Sequence, residues 1–225
     1  MNFLHVLNRG VDGRDIYLDD QDRFRFIHDL FEFNDENPAN NFSYAFKKKR
    51  ETGRFDLREK DKPRKCLVNI HVFCLMDNHY HLLVSSRTKD GVSKFMKKLN
   101  GGYSKYFNSR YDRNGSLFES NYSKVKVEEE PHFVHLPYYI HANPLDIFSP
   151  EWRDKKISDL EGSIDFLENY RWSSHLDYLG ENNFPSVTQR DMFSAFFGDE
   201  EGYKDSLYGW LESMEIDSFR HLTLE

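Results

Sequence analysis

The chain has only two cysteines in 225 residues, Cys66 and Cys74, and nothing pairs them into a zinc-binding motif. A disulfide framework is therefore excluded, and a reducing, cytoplasmic compartment is expected. No apolar run approaches the roughly 20 residues of a membrane span, so we expect no membrane partner. The first residues, Met1 to Leu7, are too short and turn polar too early for a signal peptide.

Low-complexity tracts and internal repeats are also missing, and glycine and proline are scarce at 12 and 7 residues. Aromatic residues are abundant instead, at 16% of the chain, which disfavours disorder. The length allows one domain with an extension. We predict a domain over residues 1–180, with a basic inserted loop at 34–65, and an acidic helical extension over 181–225.

The net charge of −7 at first disfavours a nucleic-acid partner. However, residues 1–144 hold 24 Lys and Arg against 20 Asp and Glu, whereas residues 145–225 hold 7 against 18. The position of charge matters more than its sum when a polyanion is bound. The first two thirds of the chain therefore remain compatible with nucleic acid, while the acidic last third can be a solvated surface.

Hydrophobic periodicity predicts strands at residues 2–8, 66–76, 79–84 and 122–127. It predicts helices after Asp19, from Gly91, and over residues 131–143, 188–197 and 200–214. The order β-α-β-β-α-β-α indicates an α+β fold, in which helices pack on one largely antiparallel sheet.

Two histidines stand at the centre of the predicted hairpin, in Met76-Asp77-Asn78-His79-Tyr80-His81. Alternate strand residues point to the same face with Cα atoms roughly 6.5–7 Å apart. His79 and His81 can therefore converge on one metal ion. The alternative is a core histidine beside a surface histidine.

The predicted helix over residues 132–144 carries Tyr139 and Asn143 at positions i and i+4, which share a face. A phenol and an amide oxygen on one face can serve a metal site jointly, as nucleophile and ligand. The alternative is a packing role for the tyrosine. Tyr138 is a rival nucleophile, but a helix turns about 100° per residue, so only one of the two tyrosines can share a face with Asn143.

In this order along the chain, Met76-x-Asn78-His79-x-His81-Leu82-Leu83-Val84, Gly115-x-Leu117-Phe118, Tyr139-Ile140-His141-x-Asn143-Pro144 and Trp172-Ser173-Ser174 resemble the REP-associated tyrosine transposases. These are single-tyrosine members of the HUH endonuclease superfamily, with an RNA-recognition-like or ferredoxin-like nuclease fold. The opening segment His5 to Gly10 fits as well, so the resemblance covers residues 3–178. Asp77, Asn121, Tyr138 and Leu145-Asp146-Ile147 depart from the family pattern.

The resemblance implies that His79, His81 and Asn143 bind Mg²⁺ or Mn²⁺ and that Tyr139 is the catalytic nucleophile. The implied enzyme nicks and rejoins single-stranded or hairpin DNA, including REP-like palindromes, through a 5′-phosphotyrosine intermediate, as a monomer or homodimer. His135 and His141 are candidate helpers for deprotonation of the phenol, although a core or DNA-contacting role fits each better.

Cations interleaved with aromatic residues between the two halves of the site are suited to unpaired DNA. The candidates for DNA contact are Lys94, Lys97, Lys98, Lys105, Arg110, Arg113, Lys124 and Lys126. Two other functions remain open from the sequence: a metal-dependent nuclease that forms no covalent intermediate, and a catalytically inactive nucleic-acid-binding module.

Overall fold

The computed structural model of the chain describes residues 2–38, 63–128, 130–213 and 224. Most of the predicted basic loop at 34–65 therefore lies outside the described residues, as does the last predicted helical residue, Met214. Along the described part of the chain, no helix is both long and apolar enough to cross a membrane.

Among the residues that the structure describes, four strands form the sheet: β1 (Phe3–Arg9), β2 (Val68–Met76), β3 (His79–Ser86) and β4 (Ser123–Val127). Their order is β2-β3-β1-β4, and each neighbouring pair is antiparallel. The α+β prediction with an antiparallel sheet is confirmed. The two central strands, β1 and β3, bury nearly every side chain because helices cover both faces of the sheet.

The α-helices in the described part of the chain are α1 (Asp20–Glu32), α2 (Gly91–Arg110), α3 (Glu130–Ala142), α4 (Leu145–Phe148), α5 (Leu160–Asn169), α6 (His175–Tyr178), α7 (Asp191–Phe197) and α8 (Glu200–Ser213). Short 3-10 helices lie at Val11–Gly13 and Pro150–Asp154. The predicted start of α7 at residue 188 is wrong: the helix begins at Asp191, and the Gln189 amide before it donates to the Ile70 carbonyl of β2 while the Gln189 side-chain oxygen accepts from the Ile70 amide.

One face of the sheet is covered by α1 and α2. Helix α1 begins where the Asp19 carboxylate accepts a hydrogen bond from the Asp22 backbone amide, a standard N-cap. The apolar stripes of α1 and α2 then pack on side chains of the sheet such as Val6 and Leu82, and Phe26 of α1 belongs to the same buried cluster.

The opposite face is covered by α3 and by the C-terminal helices α7 and α8. Leu83 of the sheet, Tyr139 of α3, Phe193 of α7 and Leu207 of α8 belong to a second buried cluster. Because side chains alternate along a strand, His5, His79 and His81 point to this same face as Leu83. The sheet therefore presents its histidines to the helix that carries Tyr139.

Candidate active site

The loop after β1 forms backbone hydrogen bonds with the turn of the hairpin that carries the histidines. The Gly10 amide donates to the Asn78 carbonyl at 2.8 Å, and the Ile16 amide donates to the Asp77 carbonyl at 2.8 Å. A side chain at Gly10 would lie 2.1 Å from the Arg14 carbonyl oxygen, so only glycine fits there. These contacts fix the turn and with it the first histidine.

The two predicted ligands, His79 and His81, lie side by side with ring centroids 5.0 Å apart. Each ring is oriented through Nδ1. His79 Nδ1 donates to Asn78 Oδ1 at 2.6 Å, and His81 Nδ1 lies 2.9 Å from His5 Nε2. In metal sites a histidine is commonly held by its second nitrogen in this way, which leaves Nε2 as the ligating atom.

His5 is a functional candidate that the sequence did not single out. It lies on β1, is completely buried, and stacks on His81 with ring centroids 5.1 Å apart. A single histidine in a strand carries no spacing signal, and only the β1–β3 register, in which Leu7 lies opposite His81, brings it beside the pair.

The donor set agrees in part with the divalent ion that the resemblance implies. Two imidazoles on one strand face, each oriented through Nδ1, are suitable ligands for Mg²⁺ or Mn²⁺ when oxygen donors complete the shell. Among the residues described, no three His, Cys, Asp or Glu side chains form a group that could hold a metal. Oxygen ligands from an amide or from substrate phosphate are therefore needed as well.

Tyr139 of α3 packs on the histidines from above the same face of the sheet. Its ring is 1% exposed, and its centroid lies 6.2 Å from that of His81 and 6.5 Å from that of His5, both nearly perpendicular. The structure therefore brings a predicted ligand and the predicted nucleophile together within one chain.

Asn143 lies on the same side of α3, one turn after Tyr139. Its Nδ2 donates to the Tyr139 carbonyl at 2.8 Å, and its Oδ1 accepts from Arg153 Nη2 at 3.1 Å. An amide oxygen has two lone pairs, so a metal ion at Oδ1 must use the second lone pair or displace the guanidinium.

Arg153 is the second functional candidate that the sequence did not single out. Its Nη1 donates to the Tyr139 hydroxyl oxygen at 2.9 Å. No periodicity marks it, because it lies in the short 3-10 helix that follows α4.

The rival nucleophile Tyr138 is buried on another side of α3. Its ring packs against Phe197, Tyr203 and Trp210 of the C-terminal helices. Burial raises its pKa to about 12, so its phenol is difficult to ionise. Its packing away from the histidines therefore favours Tyr139 as the nucleophile.

The candidate helper His141 also lies in a separate environment. It is fully buried, with Nδ1 2.7 Å from Tyr203 Oη and Nε2 2.8 Å from Ser174 Oγ. Burial lowers its pKa well below the usual value for histidine. These contacts indicate a structural role, whereas His135 is half-buried one turn before Tyr139.

The Trp172-Ser173-Ser174 motif connects α3 to β2, at the edge of the sheet. The Ser174 hydroxyl accepts from the Phe73 amide at 3.0 Å, and the Ser174 amide donates to the Phe73 carbonyl at 3.0 Å. Since the same hydroxyl contacts His141, one serine connects β2 with α3.

Five of the eight residues predicted to contact DNA have exposed side chains: Lys94, Lys97, Lys105, Lys124 and Lys126. A groove of about 630 Å³ lies between α2 and residues 115–122, and Lys97, Asn100, Phe118 and Tyr122 line it. The Gly115-x-Leu117-Phe118 motif lines part of this groove, which lies on the α2 side of the sheet.

The other three basic residues are half-buried and make internal contacts, and among the exposed five Lys126 also pairs with Glu128 at 2.6 Å. Lys98 donates to the carbonyls of Asp35 and Asn37, the latter at 2.7 Å, and Arg113 donates to Asn108 Oδ1 at 2.8 Å. Arg110 forms ion pairs with Asp19 and Asp22, both at 2.6 Å. Their charges are thus partly compensated within the fold, and their contact with DNA stays a prediction.

The comparison with protein families gives one match: residues 47–143 fit the model described as "Transposase IS200 like". The matched segment is somewhat less than half of the chain, and it contains His79, His81, Tyr139 and Asn143. This match supports the resemblance drawn from the motifs, and with it a role in DNA transposition. No curated protein matches the chain.

Among solved structures, the chain is similar to the protein described as "Structure of the REP associates tyrosine transposase bound to a REP hairpin". The identity is 13% and the TM-score is 0.46, over 84% of this chain and 86% of that one.

Proposed function

We propose, from the match to the IS200-like transposases, that this chain is a DNA transposase that cuts and rejoins one DNA strand with Tyr139 as the nucleophile. The observation that carries the proposal is the packing of the Tyr139 ring against His81, on the face of the sheet to which His79 also points. A nuclease that activates water would need the histidines and would not need this tyrosine.

The covalent step is a transesterification. Tyr139 Oη, after losing its proton to solvent, attacks the phosphorus of a DNA phosphodiester and forms a phosphotyrosine ester at the 5′ end. The bond from phosphorus to the 3′ oxygen breaks, and that oxygen leaves as a hydroxyl after taking a proton from water. One phosphoester bond replaces another, so a second 3′ hydroxyl can reverse the step and join the strand elsewhere.

Each side chain of the site has a separate part in this proposal. His79 and His81, together with Asn143, would hold Mg²⁺ or Mn²⁺, which supplies positive charge to a phosphate oxygen when it is bound. His5 and Asn78 keep the two imidazoles oriented. A fixed orientation of reacting groups contributes to catalysis because little order must be created at the moment of reaction.

The burial of the site adds a requirement. Tyr139, His81 and Asn143 are each no more than 1% exposed. A phosphate of DNA can therefore reach Tyr139 Oη only after part of the surrounding structure moves. Local openings of this kind require less free energy than global unfolding and are common at functional sites.

The exposed lysines give the proposed DNA a second contact region. Lys97 lines the groove beside α2, and Tyr122 in the same groove provides an aromatic ring on which an unpaired base can stack. The substrate class that fits both regions is DNA with a single-stranded segment next to a hairpin.

The test is incubation of the full chain with a labelled DNA hairpin that has single-stranded flanks, in Mg²⁺ or Mn²⁺, followed by a denaturing gel. We expect a covalent protein–DNA species from the wild type and none from Tyr139→Phe. Tyr138→Phe is the matched control, because it removes the neighbouring phenol on the same helix and is expected to leave the adduct.

Each other outcome is informative. Cleavage without an adduct would contradict the proposal in favour of a hydrolytic nuclease. A shift of DNA on a native gel without cleavage would favour a binding module, and an adduct that persists in Tyr139→Phe would show that a different residue attacks.

A further inference from the structure

One arginine points to the histidine face of the sheet and has no carboxylate to balance its charge. Arg9 is the last residue of β1, and the register between β1 and β3 places it directly opposite His79. Residues directly opposite each other in an antiparallel pair point to the same face, with Cβ atoms roughly 4.5–5.5 Å apart. The Arg9 side chain is therefore a cation beside the first of the two predicted histidine ligands.

The Arg9 guanidinium lacks acceptors in the part of the chain that the structure describes. Its Nε is buried and has no hydrogen-bond partner there, and its side chain forms no ion pair with a described carboxylate. Four other half-buried arginines each pair with a carboxylate: Arg23, Arg25, Arg110 and Arg153. A buried donor without an acceptor costs free energy, and the acceptor for Arg9 is one that the described fold does not supply.

The backbone on both sides of the Arg9 side chain is fixed. The Arg9 carbonyl accepts from the Glu119 amide at 3.0 Å, and the Arg9 amide donates to Asn8 Oδ1 at 3.0 Å. The next amide, that of Gly10, donates to the Asn78 carbonyl at 2.8 Å. The base of the arginine side chain is thus in place before a ligand arrives, which lowers the entropy cost of binding.

Arg9 also lies where the candidate site approaches the surface. It is partly exposed, and His79 opposite it is 6% exposed. The deeper residues of the site, His81, Tyr139 and Asn143, are no more than 1% exposed. An anion that enters from solvent therefore reaches Arg9 and His79 before it reaches the tyrosine.

The anion that suits this position is a phosphodiester. An arginine stays charged in proteins, and its planar fork can donate to two phosphate oxygens in parallel. We propose that Arg9 binds a non-bridging oxygen of the DNA phosphate that Tyr139 attacks, and that it holds this phosphate at the histidine end of the sheet. This inference deepens the proposed function and rests on it. It involves no proton transfer.

The test identifies the phosphate that Arg9 contacts, without any cleavage. The full chain and Arg9→Gln are titrated in EDTA with a labelled DNA hairpin that has single-stranded flanks, and binding is followed by fluorescence anisotropy. The titrations are repeated with hairpins in which one flank phosphate at a time is replaced by an uncharged methylphosphonate. At one position this replacement should weaken binding by the wild type about tenfold or more, because a charge-assisted hydrogen bond is lost. In Arg9→Gln the same replacement should weaken binding less than about threefold, since the contact is already missing.

Arg87→Gln is the matched control, because it removes an exposed guanidinium just beyond the other end of β3. It should keep the wild-type loss at the position that responds to Arg9. Arg9→Lys keeps the charge but not the planar fork, so its loss should lie between those of the wild type and Arg9→Gln. Far-UV circular dichroism checks that each variant is folded, and Arg9→Lys is the test variant if Arg9→Gln does not fold.

Equal losses in the wild type and in Arg9→Gln at every position would overturn the inference, whether or not the chain cuts DNA. A position that depends on Arg9, in a protein that forms no covalent adduct with Mg²⁺ or Mn²⁺, would support phosphate binding by Arg9 and reject the proposed function. When the adduct forms, the phosphate that depends on Arg9 should be the one that is cut. Dependence at a different phosphate would overturn the assignment of Arg9 to the attacked phosphate.

Discussion

Acid should destabilise the fold through His71, which is buried in β2 at 2% exposure. Its Nδ1 donates to the Gln189 carbonyl at 3.1 Å, and its Nε2 lies 2.8 Å from the Ser85 hydroxyl, which can donate to it. This arrangement suits the neutral ring. Burial is the main cause that lowers the pKa of His71 to about 4, and the bond to Gln189 partly opposes it.

The sign of the effect follows from the lowered pKa. Between pH about 6.5, where an unfolded histidine titrates, and the folded value of about 4, the unfolded chain binds more protons than the folded one. The free energy of unfolding therefore decreases as the pH falls through this window. Linkage gives a loss of about 2 kcal/mol from His71 alone between about pH 8 and about pH 5.

The assay is urea unfolding of the wild type and His71→Asn at these two pH values, followed by tryptophan fluorescence and far-UV circular dichroism. Agreement of the two probes checks two-state behaviour. Asparagine keeps a donor for the Gln189 carbonyl but does not titrate, so the acid loss in this variant should be about 2 kcal/mol smaller than in the wild type.

Ser85→Ala is the matched control, because it removes the hydroxyl partner and keeps the titrating ring. It should lower stability at both pH values and retain most of the acid loss, because burial, the main cause of the lowered pKa of His71, remains. The reasoning is refuted if His71→Asn loses as much stability in acid as the wild type does.

Three further outcomes are expected. Asp22→Asn removes the buried carboxylate that pairs with Arg110, while Arg110 keeps its pair with Asp19, so urea unfolding should show a loss of about 1.5–3 kcal/mol; a loss below about 1 kcal/mol would mean that the pair contributes little. His5→Phe removes the partner of His81 Nδ1 and should weaken Mn²⁺ binding in calorimetry by about 10–100-fold, whereas equal affinity would contradict an orienting role. Lys97→Gln should reduce the slope of log affinity for hairpin DNA against log salt by about one, and an unchanged slope would place DNA away from this groove.

The local sequence was sufficient to predict the main elements of the sheet. The turn at Asp77-Asn78, the two histidines on one strand face, and the helix from Gly91 follow from periodicity and turn chemistry, and the structure has all three. Helix α3 runs from residue 130 to 142 through Pro137. It persists there because the sheet and the C-terminal helices enclose it.

What the sequence did not predict depends on contacts between distant segments. Helix α4 and the 3-10 helix with Arg153 are short, and their stability comes from tertiary packing rather than from a pattern of their own. The non-helical segment at Gln189 is held by hydrogen bonds to Ile70 of β2, 119 residues away. His5 lies beside His81 because of the register between β1 and β3, which the local sequence does not reveal.

The departure at Asp77 has a structural explanation in the same terms. The Asp77 carboxylate pairs with Arg23 of α1, whose guanidinium lies 5.4 Å from the centre of the Trp172 ring. The turn is thus held by an ion pair to α1, which no local feature of the hairpin indicates.

The enclosure of α3 between the sheet and α8 would limit how the proposed strand exchange proceeds. Tyr139 packs on His81, and its neighbour Tyr138 packs against Tyr203 and Trp210 on another side of α3. Helix α3 therefore cannot move away from the sheet without disrupting the second buried cluster. A DNA end esterified to Tyr139 would consequently remain where it was cut. The incoming end would have to travel to it, and the geometry of the DNA, more than any reach of the protein, would select which two ends are joined.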